Sequence, residues 1–320
     1  MSQDPLRPDA RAYLDAMAAQ PRPPMNDATI AMMRQVPPEI IENMLLMFER
    51  PSGELGEVRD VTMPGPGGDI ALRLFDARKE RGPGPVVVFY HGGGFVVGSI
   101  GTHAPLAAEI ARQLDLPVIS VEYRLAPEDK WPAAPDDAEA AARWIAENGP
   151  AFGREFTGLV ICGDSAGGTL TLVTTLALRD RPAALPVLIQ IPIYPVSDRS
   201  RPYPSAADFG DGYGLNTADI AYYDSAYGSD KSDWRASPLL ADLSGLPPTL
   251  LVAAGFDPLR DEGRAFAAKA IGQGVDVTYR EYRGTIHGCF TFRKALPSSH
   301  EDLIRLLAMA REMIATATAA

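Results

Sequence analysis

The hydrophobic rhythm of the chain changes at Val58. Before that point, Ala10 to Met17 and Ile40 to Phe48 carry apolar residues at helical spacing, and Pro21, Pro23, Pro24, Pro37 and Pro38 punctuate the path between them. Ile40, Ile41, Met44, Leu45 and Phe48 make a broad apolar face that has to bury against something. With no strand nearby, the expectation is a helical flap packed over a neighbouring domain. From Val58 the period drops to two. Val61 and Met63, then Ile70, Leu72 and Leu74, alternate as strand residues do, with Pro64-Gly65-Pro66-Gly67-Gly68 as the turn between them.

Apolar runs then recur at Val86 to Tyr90, Val118 to Tyr123, Leu159 to Cys162, Val187 to Ile193, Leu250 to Ala254 and Val277 to Tyr282. Helix-length segments lie between most of them: Ala104 to Leu114, Pro135 to Glu147, Ala166 to Leu178 and Pro258 to Gly272. Several runs are apolar without alternation, as strands buried on both faces are, so the pattern predicts an α/β fold with a mainly parallel sheet between helices. One connection breaks the rhythm: no strand is predicted between Pro195 and Leu250. Ser197 to Gly214 is rich in Pro, Gly, Ser and Asp, and Thr217 to Tyr227 is a predicted helix with Thr217 or Asn216 as its N-cap. Residues 1–50 and 196–232 are expected to form a helical cap over a catalytic body made of 51–195 and 233–320.

Composition narrows the class. The chain has 320 residues, 46% hydrophobic and 22% charged, which is ordinary for a globular protein. Its net charge of −11 argues against nucleic acid and anionic membranes as partners. Two cysteines, Cys162 and Cys289, adjoin the candidate chemistry and read as small buried apolar residues rather than a disulfide. No Cys/His cluster has zinc spacing. Met1 to Gln20 lacks an apolar signal-peptide core, and no apolar run reaches the length of a membrane span, so the default expectation is cytoplasmic.

The strongest motif is Gly163-Asp164-Ser165-Ala166-Gly167, which follows the apolar run Leu159-Val160-Ile161-Cys162 and precedes a helical segment. Strand, sharp turn and helix with serine at the tip is the setting of a nucleophile elbow. Upstream, His91-Gly92-Gly93-Gly94 closes the run Pro85 to Tyr90. Glycines there let backbone N–H groups approach a developing oxyanion, and Gly92 and Gly93, joined by Ala166, are the expected donors. The loop lacks the Lys and Ser/Thr of a phosphate loop.

A serine nucleophile needs a base. Four histidines are available: His91 in the glycine loop, His103 opening the next helix, His300 near the start of the last helix, and His287. Only His287 is expected in a late loop at the carboxyl edge of the sheet. The acid that orients it should follow a strand between Ser165 and His287. Asp257 does so after Leu250 to Phe256, while its rival Asp261 sits about one turn into the next helix, where it would cap or pair locally. Asp164 could tie down a loop or shape the pocket. Arg124 is expected to pair with Glu128 or Asp129. Phe209, Tyr213, Tyr222 and Tyr223 are weak candidates to line a substrate pocket.

Taken with Phe95, with Tyr123-Arg124-Leu125-Ala126-Pro127-Glu128, with Asp257-Pro258-Leu259-Arg260-Asp261-Glu262 and with His287-Gly288, these motifs resemble the hormone-sensitive lipase family of esterases, bacterial family IV, from about Val58 to the end. The resemblance implies an α/β-hydrolase fold with a helical cap and a carboxylesterase acting on short- to medium-chain acyl esters. Ser165, Asp257 and His287 would form the triad, with an acyl-enzyme intermediate and no metal or organic cofactor. Because the base must be neutral, activity is expected to fall below roughly pH 6 to 7. Two other readings share the fold: an amidase or peptidase, and a non-catalytic receptor like the plant gibberellin receptors. The presence of Ser165, Asp257 and His287 together argues against the receptor. Apolar surface on the edge strands and the last helix is compatible with a homodimer.

Overall fold

A computed structural model describes residues 5–20 and 23–319. Pro21 and the first four residues of the N-terminal segment therefore lie outside the described residues. Ten helices and eight strands occur among them. In chain order the sequence runs through α1 (Pro8–Ala18), α2 (Asp27–Met33), α3 (Pro38–Leu45), β1 (Glu57–Gly65), β2 (Gly68–Asp76), β3 (Gly84–Tyr90), α4 (Ile100–Leu114), β4 (Val118–Val121), α5 (Ala133–Glu147), β5 (Phe156–Asp164) and α6 (Ala166–Asp180). It continues through β6 (Val187–Ile193), α7 (Pro204–Asp208), α8 (Thr217–Tyr227), β7 (Thr249–Phe256), α9 (Arg260–Gly272), β8 (Val277–Ile286) and α10 (Pro297–Ala319).

The strands form one sheet in the order β1-β2-β4-β3-β5-β6-β7-β8. Only β2 runs against its neighbours; every pairing from β4 to β8 is parallel. The central strands separate two cores by simple alternation. Val87, Phe89, Val160 and Cys162 face α4 and α10 on one side. Val86, Val88, Tyr90, Leu159 and Ile161 face α5 and α6 on the other. This double burial is why these runs read as continuous apolar stretches. Strand order reverses between β3 and β5, so their carboxyl ends splay apart and leave a crevice. His91-Gly92-Gly93-Gly94 leaves β3 on one side of that crevice, and Ser165 leaves β5 on the other.

Several boundaries differ from expectation. The fourth strand stops at Val121, two residues early, because Tyr123 and Arg124 turn away to bind His91 and Asp137. Arg124 makes a two-pronged pair with fully buried Asp137 at 2.9 and 2.8 Å; Asp129 is 3.6 Å away, and Glu128 pairs instead with Arg34. The last strand extends to Ile286, so it delivers His287 directly. A helix unforeseen in the sequence, α2, is capped by Asn26, whose side chain accepts the N–H of Thr29 at 2.9 Å. At the insertion helix Asn216 holds the N-cap position, but the hydroxyl of Thr217 donates to the carbonyl of Gly210.

The N-terminal helices do not bury the whole apolar face expected of them. Ile40 is 50% and Met44 56% exposed. Their anchorage is partly polar: Glu49 and Arg293, exposed by 2% and 1%, form a buried ion pair at 2.8 Å. Phe48 packs edge-on against Tyr13, which stacks on Phe292. Arg34 donates to the carbonyls of Val96 and Ala126, tying α2 to the segment after the glycine loop. Both cysteines are buried free thiols. No helix among the described residues is long and apolar enough to cross a membrane.

Candidate active site

The strand-to-helix turn between β5 and α6 forces Ser165 into a positive φ of 53° with ψ −116°. Such a backbone is strained for a residue with a side chain, and it lifts the hydroxyl above the sheet edge. The strain is held by the Ser165 N–H donating to the Ile193 carbonyl at 2.8 Å. Gly167 is dictated by close approach: a Cβ there would collide with the carbonyl oxygen of Tyr90 at the end of β3.

Three crossovers converge on this serine. His287, the first residue after β8, places Nε2 2.9 Å from Ser165 Oγ and Nδ1 2.8 Å from Asp257 Oδ2. Asp257 follows β7 directly and is fully buried; its other oxygen accepts the N–H of Leu259 at 2.8 Å. A carboxylate fixed on both oxygens holds the imidazole in one orientation, and the imidazole can take the hydroxyl proton. Tyr194 backs this arrangement, with its ring 4.8 Å from that of His287. It is buried and also has positive φ, 36°. Nothing in the sequence marked it. The rival acid Asp261 is engaged locally with Arg260 and with the backbone of Ser205. The other histidines lie elsewhere: His300 on α10, and His91 and His103 behind the glycine loop. Burial pushes His91 down to about 3, so it is neutral, stacked on Tyr123 with ring centroids 4.3 Å apart.

The glycine loop requires a correction. Of the expected oxyanion donors Gly92, Gly93 and Ala166, the first is already engaged: the Gly92 N–H donates to Asp164 Oδ1 at 2.9 Å and lies 3.2 Å from His103 Nε2. The N–H groups of Gly93, Gly94 and Ala166 have no acceptor among the described residues. Gly94 and Ala166 line the cleft above Ser165. Gly94 has φ +63°, and a Cβ there would strike the Tyr223 ring. Asp164, 3% exposed, thus acts as the loop tie rather than a pocket wall.

The cleft encloses about 480 Å³. Phe95, Leu215, Ile220, Tyr223 and Leu259 supply apolar wall, drawn from the glycine loop, the insertion and the start of α9. The other aromatic candidates do not line it. Phe209 is 2% exposed and packs between Tyr213, Phe256 and the Arg260 guanidinium. Tyr213 stacks on Phe256, and Tyr222 donates to Asp27 on α2. Each is engaged in packing the insertion down. Cleft residues that sequence reasoning missed include Arg199, Arg201, Lys231 and Glu262. Glu262 accepts the N–H groups of Ser197 and Asp198 at 2.7 and 2.8 Å, and burial pushes its carboxyl up to about 8. No group of His, Cys, Asp and Glu among the described residues is arranged to hold a metal ion.

The geometry has close counterparts. A sequence profile for the alpha/beta hydrolase fold matches residues 87–291. The carboxylic ester hydrolase LipN of Mycobacterium tuberculosis is 41% identical over 235 residues, covering 70% of this chain and 62% of LipN. The chain thus spans somewhat less than two thirds of that relative. The esterase LipI of the same organism is 33% identical over 264 residues, covering 80% and 82%. Among solved structures, the hyperthermophilic esterase of Pyrobaculum calidifontis superposes with a TM-score of 0.87 at 37% identity, covering 97% of this chain and 99% of that one. The chain belongs to the alpha/beta-hydrolase family, in its hormone-sensitive lipase-like branch of carboxylic ester hydrolases.

Proposed function

We propose that the protein is a serine carboxylesterase acting on short- to medium-chain acyl esters through an acyl-enzyme. The observation that carries this reading is the unbroken relay from Ser165 Oγ through His287 to Asp257, at 2.9 and 2.8 Å, beneath a largely apolar cleft. His287 takes the proton as Ser165 Oγ attacks the ester carbonyl carbon. Charge moves onto the former carbonyl oxygen, which accepts hydrogen bonds from the N–H groups of Gly93, Gly94 and Ala166. His287 then protonates the departing alcohol. Water repeats the sequence on the acyl-enzyme, with His287 again as base.

The cleft volume of about 480 Å³ supports a small ester, and the names of relatives point the same way, including an ethyl acetate hydrolase of Pseudomonas putida and an arylesterase of Saccharolobus solfataricus. Residues 196–232 supply cleft wall through Arg199, Leu215 and Tyr223, which supports their reading as part of a cap. A panel of p-nitrophenyl esters of rising chain length, with matched anilides, tests the proposal. High kcat/KM for short esters, lost in Ser165→Ala, is expected; a preference for the anilides would overturn it.

A further inference from the structure

Arg199 sits in the cleft wall with its side chain only 7% exposed. It is held rigidly. Its guanidinium carbon is 5.3 Å from the Phe95 ring centroid and 5.4 Å from that of Tyr227. Nη1 pairs with Asp224, and the backbone N–H donates to Ser237 Oγ at 3.0 Å. Yet Nε is buried without any acceptor. Nη2 has no hydrogen-bond partner among the described residues either. The unsatisfied edge, Nε with Nη2, is the fork that fits a carboxylate with two parallel bonds. A buried guanidinium lacking acceptors on that edge is costly unless a ligand supplies them.

The charges around it leave a local excess of positive charge. Asp224 is shared between Arg199 and Lys231, the latter at 2.7 Å, so two cations face one carboxylate. Asp198 is neutralised in place: it accepts from Ser200, from Tyr203 at 2.7 Å and from Arg201 at 3.3 Å. Glu262 has its carboxyl raised to about 8 by burial, so at neutral pH it is mostly protonated and does not cancel the remaining cation. Lys231 and Arg201, 51% and 64% exposed, stand at the rim, and Arg199 lies deeper. With Arg201 paired to Asp198, and Arg199 and Lys231 sharing Asp224, the wall keeps about one unbalanced positive charge on a chain of net charge −11.

We propose that this wall is a carboxylate-recognition subsite with Arg199 as its specificity-determining residue, so that preferred substrates are esters carrying a free carboxylate away from the scissile bond. The proposal rests on the esterase reading and adds a substrate class to it. Within the cleft, the apolar wall of Leu215, Ile220 and Tyr223 takes the carbon skeleton and the Arg199 fork takes the charge.

Two matched pairs of esters test it. p-Nitrophenyl hydrogen succinate against p-nitrophenyl butyrate puts the charge on the acyl side, and 4-acetoxybenzoate against phenyl acetate puts it on the alcohol side. The expected result is a kcat/KM ratio favouring the charged member in one pair by about tenfold or more. That ratio should fall about tenfold in Arg199→Gln. It should also fall in the wild type as ionic strength rises from about 0.02 to about 0.5 M, which needs no variant to fold. A merely structural Arg199 would depress both members of a pair equally and leave the ratio unmoved. Preference for the neutral member in both pairs, or a ratio indifferent to both substitution and salt, would overturn the proposal while leaving the esterase reading intact. If none of the four esters is hydrolysed, the esterase reading fails instead. Calorimetric binding of succinate against butyrate then judges the subsite alone, with tighter succinate binding expected and equal or weaker binding overturning it.

Discussion

Asp164 Oδ1 accepts the backbone N–H of Gly92 at 2.9 Å, so the residue just before Ser165 grips the loop on the opposite side of the crevice. The bond spans the point where strand order reverses, and it fixes the relative position of the two halves of the site. It also commits the Gly92 N–H, leaving those of Gly93 and Gly94 without an acceptor among the described residues, with Gly94 lining the cleft. Asp164→Ala removes the acceptor without touching Ser165 or His287. Because oxyanion donors act mainly in the transition state, kcat should fall roughly 10- to 100-fold with KM within about threefold. Steady-state kinetics on a short p-nitrophenyl ester checks this; a change confined to KM would contradict it.

Gly167 admits no side chain because the Tyr90 carbonyl oxygen occupies the space a Cβ would need. Gly167→Ala should destabilise the fold by about 3 kcal/mol or more, since the clash is with backbone of the central strand pair and cannot be relieved by a rotamer change. Urea denaturation measures this. Gly274, whose added Cβ would meet nothing within 4 Å, lies at a positive φ of 83°, so Gly274→Ala should cost only the smaller backbone strain.

The Glu262 carboxyl binds its proton more tightly in the folded chain, at about 8, than in the unfolded chain, where it titrates as an ordinary glutamate. Between those two values the folded state holds the extra proton, so stability is greatest below the unfolded value and declines as pH rises through the folded one. The wild-type Tm should drop between about pH 5 and pH 8.5 by more than that of Glu262→Gln, which keeps an acceptor for Ser197 and Asp198 but cannot ionise. Calorimetry at the two pH values gives the comparison; identical slopes would refute it.

Glu49 and Arg293 hold the end of the N-terminal helical segment against the chain just after His287. Glu49→Ala leaves a buried guanidinium whose other carboxylate, Glu109, is 3.9 Å away. Removing one partner of such a pair costs about 3–5 kcal/mol. Chemical denaturation should show that loss, and a loss under about 1 kcal/mol would mean that water enters to solvate Arg293.

Much of this was legible because strands buried on both faces write themselves as apolar runs. The eight-stranded α/β sheet and the loops carrying Ser165, Asp257 and His287 follow from Val86 to Tyr90, Leu159 to Cys162 and their successors. The Gly92 assignment failed because sequence shows which loop contains free N–H groups but not which are already bound; that depends on Asp164 reaching across from another strand. The insertion aromatics failed for a similar reason. Phe209 and Tyr213 look alike to Tyr223 in sequence, yet only Tyr223 faces the cleft, since Phe256 captures the other two. Arg199 belongs to no motif, and Glu262 ends the Asp257-Pro258-Leu259-Arg260-Asp261-Glu262 motif with nothing in the sequence to mark it as a cleft residue. Their significance arises only when the segment after β6 folds against the start of α9.

The central claim is that Ser165 is activated by His287 for attack on an acyl carbon. Reaction with a p-nitrophenyl alkylphosphonate, followed by intact-mass and peptide mass spectrometry, tests it most directly. The account predicts one adduct per chain on Ser165, none in Ser165→Ala, and labelling slowed by about a hundredfold or more in His287→Ala. An adduct on another residue, or labelling of Ser165 at an unchanged rate without His287, would contradict it.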